Sequence, residues 1–309
     1  MAMANGTSPV SLSSYRLKVL LPADQLGELL AGSTPHSTDS GGCRLAWQQW
    51  SGLGKGSPPL LLLHGGFGSW THWVANLQAL RQERTLWTVD LPGLGASGDM
   101  PKPWTTRHFA ELLLAGWCSL TGEDQPFELA AFSFGAMIAG HLAALSGQRC
   151  TRCTLIGASG FGELHRQVPL LAPPGSELPN VAANAIHREN LSRLMLHDAG
   201  RIDDLAVYVH GDNLARHRFR SRSMAGSNDL AEILPLIPGH LVGIWGAQDG
   251  TAGGAGNIEA RRRLFLEAEP EAEFYVLPEV GHWAMYEAPG EINRLLLHSG
   301  NVPGAPSVR

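Results

Sequence analysis

The stretch Phe127-Glu-Leu-Ala-Ala-Phe-Ser-Phe-Gly-Ala136 decides how the rest of the chain is read. An apolar run meets the small-x-Ser-x-Gly turn Ala131–Gly135, and the chain then continues as the helical Met-Ile-Ala-Gly-His-Leu-Ala-Ala-Leu. Strand, sharp turn and helix in that order lift a serine Oγ above the edge of a sheet, and small flanking residues let the two backbones approach. Ser133 is therefore the candidate nucleophile. Ala131, where glycine is commoner, adds only a methyl group. Serine and glycine are abundant, so the pattern needs support elsewhere in the chain.

Three further stretches supply it. Upstream, Leu60-Leu-Leu-Leu-His64-Gly65-Gly66-Phe67-Gly68 is a buried strand running into a glycine loop, whose curled backbone can aim an N–H at a reacting carbonyl. Gly66 is the expected oxyanion-hole donor, with Phe67 second, working beside the N–H of Phe134. A phosphate cradle is the rival reading of such a loop, but neither Gly-Lys-Ser/Thr nor GxGxxG occurs there. His64 reads as a brace of the loop. Downstream, Leu241-Val-Gly-Ile-Trp-Gly246-Ala-Gln-Asp249-Gly250 ends a strand on a turn that presents a carboxylate. Alone, Asp249 would be an ordinary turn residue; after a late strand it is the expected orienting acid. Last, Phe274-Tyr-Val-Leu-Pro-Glu-Val-Gly281-His282-Trp283 is a strand followed by a Gly-His loop. The order Ser133, Asp249, His282 suits a nucleophile, its orienting acid and its base. Glu279 is a lesser rival to Asp249. Asp90, in a turn rich in glycine and proline, reads as structural, and His141 as a packed helix residue.

Around these motifs, short apolar runs bounded by glycine and proline alternate with helix-like segments, the pattern of an α/β protein with a mostly parallel sheet flanked by helices. Strands are expected at Arg44–Trp50, Leu60–Leu63, Leu86–Val89, Phe127–Ala131, Cys153–Ile156, Leu241–Trp245 and Phe274–Leu277, and helices at Trp73–Arg81, Thr106–Leu120, Ala136–Ser146 and Asn257–Glu267. Residues 159–236 break the rhythm with a proline-rich loop and polar helical segments, and are expected to form a helical lid. The core is then 41–158 with 237–300, followed by a tail at 301–309. Residues 1–40 are expected to be an arm with one amphipathic piece, Leu17–Leu30, then a linker, packed loosely or partly mobile.

Composition narrows the partners. The chain has 309 residues, 44% of them hydrophobic, enough for a large core without metal or disulfide support. A net charge of −5 and the lack of a long basic run argue against nucleic acid. The Arg261-Arg-Arg263 cluster reads as a solvated helix face. Four cysteines do not make a disulfide framework, and Cys150-Thr-Arg-Cys153 has no second pair for a metal, so free thiols in a reducing compartment are expected. Without a signal-like start or a membrane-spanning run, the expected location is the cytoplasm, with no membrane partner. Homo-oligomerisation is left open.

Taken together, the Leu-Leu-His-Gly-Gly, Asp-Leu-Pro-Gly-Leu-Gly-Ala-Ser, Phe-Ser-Phe-Gly, Trp-Gly-Ala-Gln-Asp and Gly-His-Trp segments resemble the α/β-hydrolase superfamily from about residue 42 to 298. Within it, Gly281-His-Trp-Ala-Met-Tyr-Glu-Ala-Pro and Gly157-Ala-Ser-Gly-Phe-Gly look like the carbon–carbon bond hydrolases of meta-cleavage products. Two positions depart from that subfamily: Phe132 stands where an asparagine is usual, and His210 where a lid arginine aligns. The resemblance implies a serine hydrolase needing no cofactor or metal, which cleaves an ester or a carbon–carbon bond of a small-molecule carbonyl substrate. Phe67, Phe132 and Trp283 flank the motifs and are expected on an apolar, substrate-binding wall. A lyase or acyltransferase on the same residues, or a non-catalytic ligand-binding protein, are the alternatives.

Overall fold

The computed structural model describes residues 21–54, 57–172 and 180–297. Eight strands form one sheet: β1 (Thr34–Ser40), β2 (Cys43–Trp50), β3 (Leu60–Leu63), β4 (Leu86–Val89), β5 (Phe127–Phe132), β6 (Cys150–Ile156), β7 (His240–Gly246) and β8 (Glu273–Leu277), in the order β1-β2-β4-β3-β5-β6-β7-β8. β2 runs antiparallel to β1 and β4, and every pairing from β4 through β3 to β8 is parallel. The chain leaves β3 for β4 on one side and returns to β5 on the other. The strand order therefore reverses at β3, and the C-terminal ends of β3 and β5 open side by side at a crevice of the kind where open α/β sheets bind ligands.

Helices cover both faces. They are α1 (Pro22–Ala31), α2 (Leu77–Leu80), α3 (Thr106–Thr121), α4 (Phe134–Ser146), α5 (Asn180–Leu194), α6 (Asp204–Arg216), α7 (Arg222–Ala225), α8 (Asp229–Ile233), α9 (Ala255–Ala268), α10 (Ala284–Glu287) and α11 (Pro289–Leu297). Because the central strands are covered twice, β3 and β5 are buried at every position, which is why they read as unbroken apolar runs. Leu61, Leu63, Leu129 and Ala131 pack toward Phe109, Trp117, Met137 and Phe265 on one side; Leu60, Leu62, Ala130 and Phe132 pack toward Trp73, Leu77, Trp283 and Leu295 on the other. Between β6 and β7 the described residues contain helices α5 to α8 and no strand.

Three expectations need correction. Residues 34–40, expected to be linker, form the edge strand β1, and α1 packs behind the sheet, where the Trp50 Nε1–H donates to the Leu29 carbonyl at 2.9 Å. This part of the arm is docked, while residues 1–20 and the tail lie outside the described residues. The expected helix Trp73–Arg81 is split into a 3₁₀ turn, Trp70–Trp73, capped by the Ser69 hydroxyl, and the short α2. Arg261 is not solvated: it is 1% exposed and donates to the carbonyls of Ala252 (2.9 Å) and Leu164 (2.7 Å). Its guanidinium also lies over the rings of Phe161 and Trp245, which replaces the lost water with carbonyl and π partners.

Candidate active site

Ser133 sits between β5 and α4 with φ 53° and ψ −115°, a backbone shape costly for any residue with a Cβ. Its N–H donates to the Ile156 carbonyl of β6 at 2.9 Å, and its own carbonyl accepts from Ala136 N–H at 3.0 Å, so strand and helix together impose the turn. Gly135 follows because α4 starts against the β3 loop: a Cβ there would lie 2.2 Å from the His64 carbonyl oxygen.

His282 Nε2 lies 3.0 Å from Ser133 Oγ, and His282 Nδ1 lies 2.8 Å from Asp249 Oδ2. A carboxylate only accepts, so Nδ1 carries the proton and Nε2 is left to accept from the serine hydroxyl. Both His282 and Asp249 are buried. Burial alone would raise the Asp249 carboxyl, but His282 and the donors of Thr251 hold it below its ordinary value. Thr251 gives Asp249 Oδ1 two hydrogen bonds, from N–H at 2.8 Å and from the hydroxyl at 2.7 Å. Glu279 is exposed and lies 3.5 Å from His197 instead.

The loops that carry these residues leave no slack. Gly157, at φ +52°, passes so close that a Cβ would lie 3.1 Å from His282 Nδ1 and 3.4 Å from Asp249 Oδ2. The buried Glu287 carboxylate accepts from Gly281 N–H at 2.6 Å, and Trp283 N–H donates to the Met195 carbonyl just beyond α5 at 2.7 Å. Thr251 and Glu287 escaped the sequence reading. A hydroxyl two residues after Asp249, in an aspartate-capped turn, was the available signal for the first.

The glycine loop is held by two histidines. His64 Nε2 accepts from Leu91 N–H at 2.9 Å, so its Nδ1 bears the proton and donates to the Gly65 carbonyl at 2.8 Å. His72 Nδ1 accepts from Gly65 N–H at 3.2 Å. Burial lowers His64 to about 4 and His72 well below its ordinary value, which keeps both neutral near pH 7. In a planar trans peptide the N–H points opposite to the C=O, so fixing the Gly65 carbonyl also fixes the direction of the Gly66 N–H. The N–H of Phe134, at the first position of α4, is one of those that helix geometry leaves without an intrahelical partner. Gly66 has no room for a side chain, since a Cβ would lie 2.2 Å from Ser221 Oγ.

Ser133, His282, Gly66 and Phe134 line one cavity of about 80 Å³, together with Phe67 and Phe132. Trp283 does not line it, which corrects the expectation for that residue. It is buried behind His282, stacks on Tyr286 at 4.4 Å and donates from Nε1 to the His72 carbonyl at 2.8 Å. His210 stands in α6 beside His187, with ring centroids 5.4 Å apart. The remaining candidates are structural: Asp90 accepts from the N–H groups of Trp70 and Ala96, each at 2.8 Å, and His141 pairs with Asp229 at 2.8 Å. All four cysteines are free thiols. No helix among the described residues is long and apolar enough to cross a membrane.

Comparison with known proteins agrees with this architecture. The chain is 28% identical over 281 residues to the dihydrolipoyllysine-residue acetyltransferase component of the acetoin cleaving system of Pseudomonas putida, covering 86% of this chain and 69% of that protein. It is 25% identical over 260 residues to a 2-hydroxy-6-oxononadienedioate/2-hydroxy-6-oxononatrienedioate hydrolase of Paraburkholderia phymatum, covering 79% and 87% of the two chains. Among solved structures, the meta-cleavage product hydrolase of Pseudomonas fluorescens superposes with a TM-score of 0.67 at 18% identity, over 85% of this chain and 96% of the other, a likeness of fold. The profile described as the alpha/beta hydrolase family matches residues 60–295, three-quarters of the chain, and the chain belongs to that family.

Proposed function

We propose that this α/β hydrolase is a serine hydrolase in which Ser133 is the nucleophile, His282 the general base and acid, and Asp249 the group that orients His282. The single observation carrying the proposal is the unbroken hydrogen-bond chain from Ser133 Oγ through His282 to Asp249, at 3.0 and 2.8 Å. His282 Nε2 takes the Ser133 proton as Oγ bonds to the substrate carbonyl carbon, and the N–H groups of Gly66 and Phe134 receive the oxyanion. Collapse breaks the bond to the leaving group, which takes the proton from His282. Water, deprotonated by His282, then attacks the acyl-serine and releases the acid with Ser133 restored. The substrate is a small, partly hydrophobic ester, or a ketone whose carbon leaving group departs as a stabilised enolate. The described part of 159–236, whose His165, Val168, Leu194 and Ser221 line the cavity, acts as the lid over this site, and the free thiols support a cytoplasmic location.

A second reading transfers the acyl group to an acceptor other than water on the same residues; the relationship to an acetyltransferase component favours keeping it. A panel of short-chain esters and vinylogous 1,5-diketones, run with wild type and Ser133→Ala, tests the first reading. The variant should lose turnover of whichever class the wild type cleaves, together with fluorophosphonate labelling. Equal turnover by both proteins would sink the nucleophile assignment. Acyl products formed only when an added thiol or alcohol is present would move the conclusion to the transferase.

A further inference from the structure

A second cavity, of about 340 Å³, shares no lining residue with the one of about 80 Å³ around Ser133. Its walls come from segments distant in sequence: α1 of the arm, Ala46 and Gln48 of β2, Thr88 of β4 (the strand partner of Gln48), the turn at Ser69 to Thr71, and α6. Its size falls within the range of small-molecule sites, about 300–1,000 Å³. α1 lies outside residues 60–295, so this wall stands apart from the core that the family profile matches. Leu26 and Leu30 line it from α1, and Leu30 and Tyr208 are both exposed, which leaves an apolar mouth.

The opposite wall is polar and short of positive charge. Asp90 is buried there, and its two oxygens accept from the N–H groups of Trp70 and Ala96, but no cation lies within ion-pairing distance of it among the described residues. Burial pushes its carboxyl up to about 6, which still leaves it mostly ionised at pH 7. The one cation on the walls, Arg216, is engaged by Asp212, at 3.1 Å from Nε and 3.0 Å from Nη2. Thr88 is 1% exposed, and its Oγ1 has no hydrogen-bond partner among the described residues. The Trp70 ring, packed on Trp50 at 5.7 Å, is held beside the carboxylate. A carboxylate with acceptor sites to spare, a buried hydroxyl without a partner and an indole face together suit an ammonium group, which donates three hydrogen bonds and is drawn to aromatic rings. We propose that this cavity is a binding site, separate from the reaction centre, for a small amine whose ammonium group meets Asp90 and Thr88 and whose hydrocarbon body lies against Leu26 and Leu30. The proposal is independent of the serine hydrolase reading.

Calorimetric titration of the full chain with 2-phenylethylammonium, 2-phenylethanol and phenylacetate tests it, since the three probes share a hydrocarbon body and differ in the charge of the head. Wild type should bind the ammonium about tenfold or more tightly than the alcohol or the carboxylate. Gly27 lines the cavity from α1 and has open space where a Cβ would lie. Gly27→Leu should therefore fill the cavity and weaken ammonium binding about tenfold or more, with no fall in the urea midpoint. Thr88→Val should bind the ammonium several-fold more weakly yet unfold no sooner than wild type, because the lost hydroxyl has no partner in the free protein. A merely structural threonine would lose stability and keep affinity. Asp90→Asn should bind the ammonium and the alcohol alike; if it does not fold, the other two variants decide. Ser133→Ala should bind all three probes as wild type does, and loss of ammonium binding in it would place the probe in the catalytic cavity and overturn the proposal. Equal or tighter binding of the alcohol or the carboxylate by wild type overturns it, as does an ammonium affinity that Gly27→Leu leaves unchanged, or no saturable binding of the ammonium at all.

Discussion

Ser133 keeps its unfavourable backbone only because β5, β6 and α4 each hold one side of it, and the chemistry depends on equally local constraints around it. Asp249 fixes the His282 tautomer, so Asp249→Asn should present an amide N–H to Nδ1 and force the proton onto Nε2, where it no longer accepts from serine. The expected loss in kcat is on the order of 10⁴-fold with near-normal substrate affinity, read by steady-state kinetics beside circular dichroism of the variant. Gly157→Ala should act through position: its Cβ meets His282 Nδ1 at 3.1 Å in a backbone conformation disfavoured for alanine. A kcat reduced by about 10²-fold is expected, and a fully active Gly157→Ala enzyme would show that His282 has room to spare. Ser133, Asp249 and His282 were legible because each closes a recognisable strand-to-loop stretch. His72, Thr251 and Glu287 were not, since their meaning lies in atoms they touch rather than in the residues beside them. Trp283 was misread for the same reason: an aromatic next to a motif says nothing of the side it faces.

Among the elements, the central strands were readable and the edges were not. β1, Thr-Pro-His-Ser-Thr-Asp-Ser, is polar because only part of one face is covered, so it lacks the apolar signal that marked β3 and β5. α9 shows the converse. Its arginine run is ordinary surface sequence except that Arg261 points inward, tying the ends of two loops, at Leu164 and Ala252, to one guanidinium. Replacing it with methionine keeps apolar bulk but strands the Ala252 carbonyl and leaves Leu164 with only the Asn257 Nδ2–H, at 3.2 Å. Arg261→Met should lower unfolding stability by about 2–4 kcal/mol in urea titration. Since Arg166 follows Leu164 closely and Asp249 precedes Ala252, the variant should also lose activity. A variant as stable as wild type would mean that water can replace the guanidinium.

Over the whole molecule, stability should fall with acidification, because burial shifts several groups in a known sense. His64 and His210 are each lowered to about 4, while Asp90 is raised to about 6, burial being the leading cause in all three. The histidines stay neutral in the fold while the unfolded chain takes up protons below about 6.5, so their contribution drains away from that pH down to about 4. Asp90 binds its proton earlier in the folded state and offsets part of this loss between about 6 and 4. His72, also lowered by burial, adds to the loss, so the histidines outweigh the one carboxyl and the step from pH 7 to pH 5 should cost more than about 2 kcal/mol. Urea midpoints at the two values check it; a midpoint that rises at pH 5 would contradict the neutral state of the buried histidines. The same scale separates what the chain reveals alone from what folding adds. The family, the parallel core and the order of Ser133, Asp249 and His282 are written locally, because buried strands, tight turns and glycine loops each demand particular residues in consecutive positions. The docked arm, the histidine clamp on Gly65 and the inward Arg261 were decided by tertiary structure. The arm, Arg261 and the Leu91 bond that sets the His64 tautomer depend on contact between segments far apart in the chain, as when Trp283 Nε1 meets the carbonyl of His72, and packing alone sets such distances.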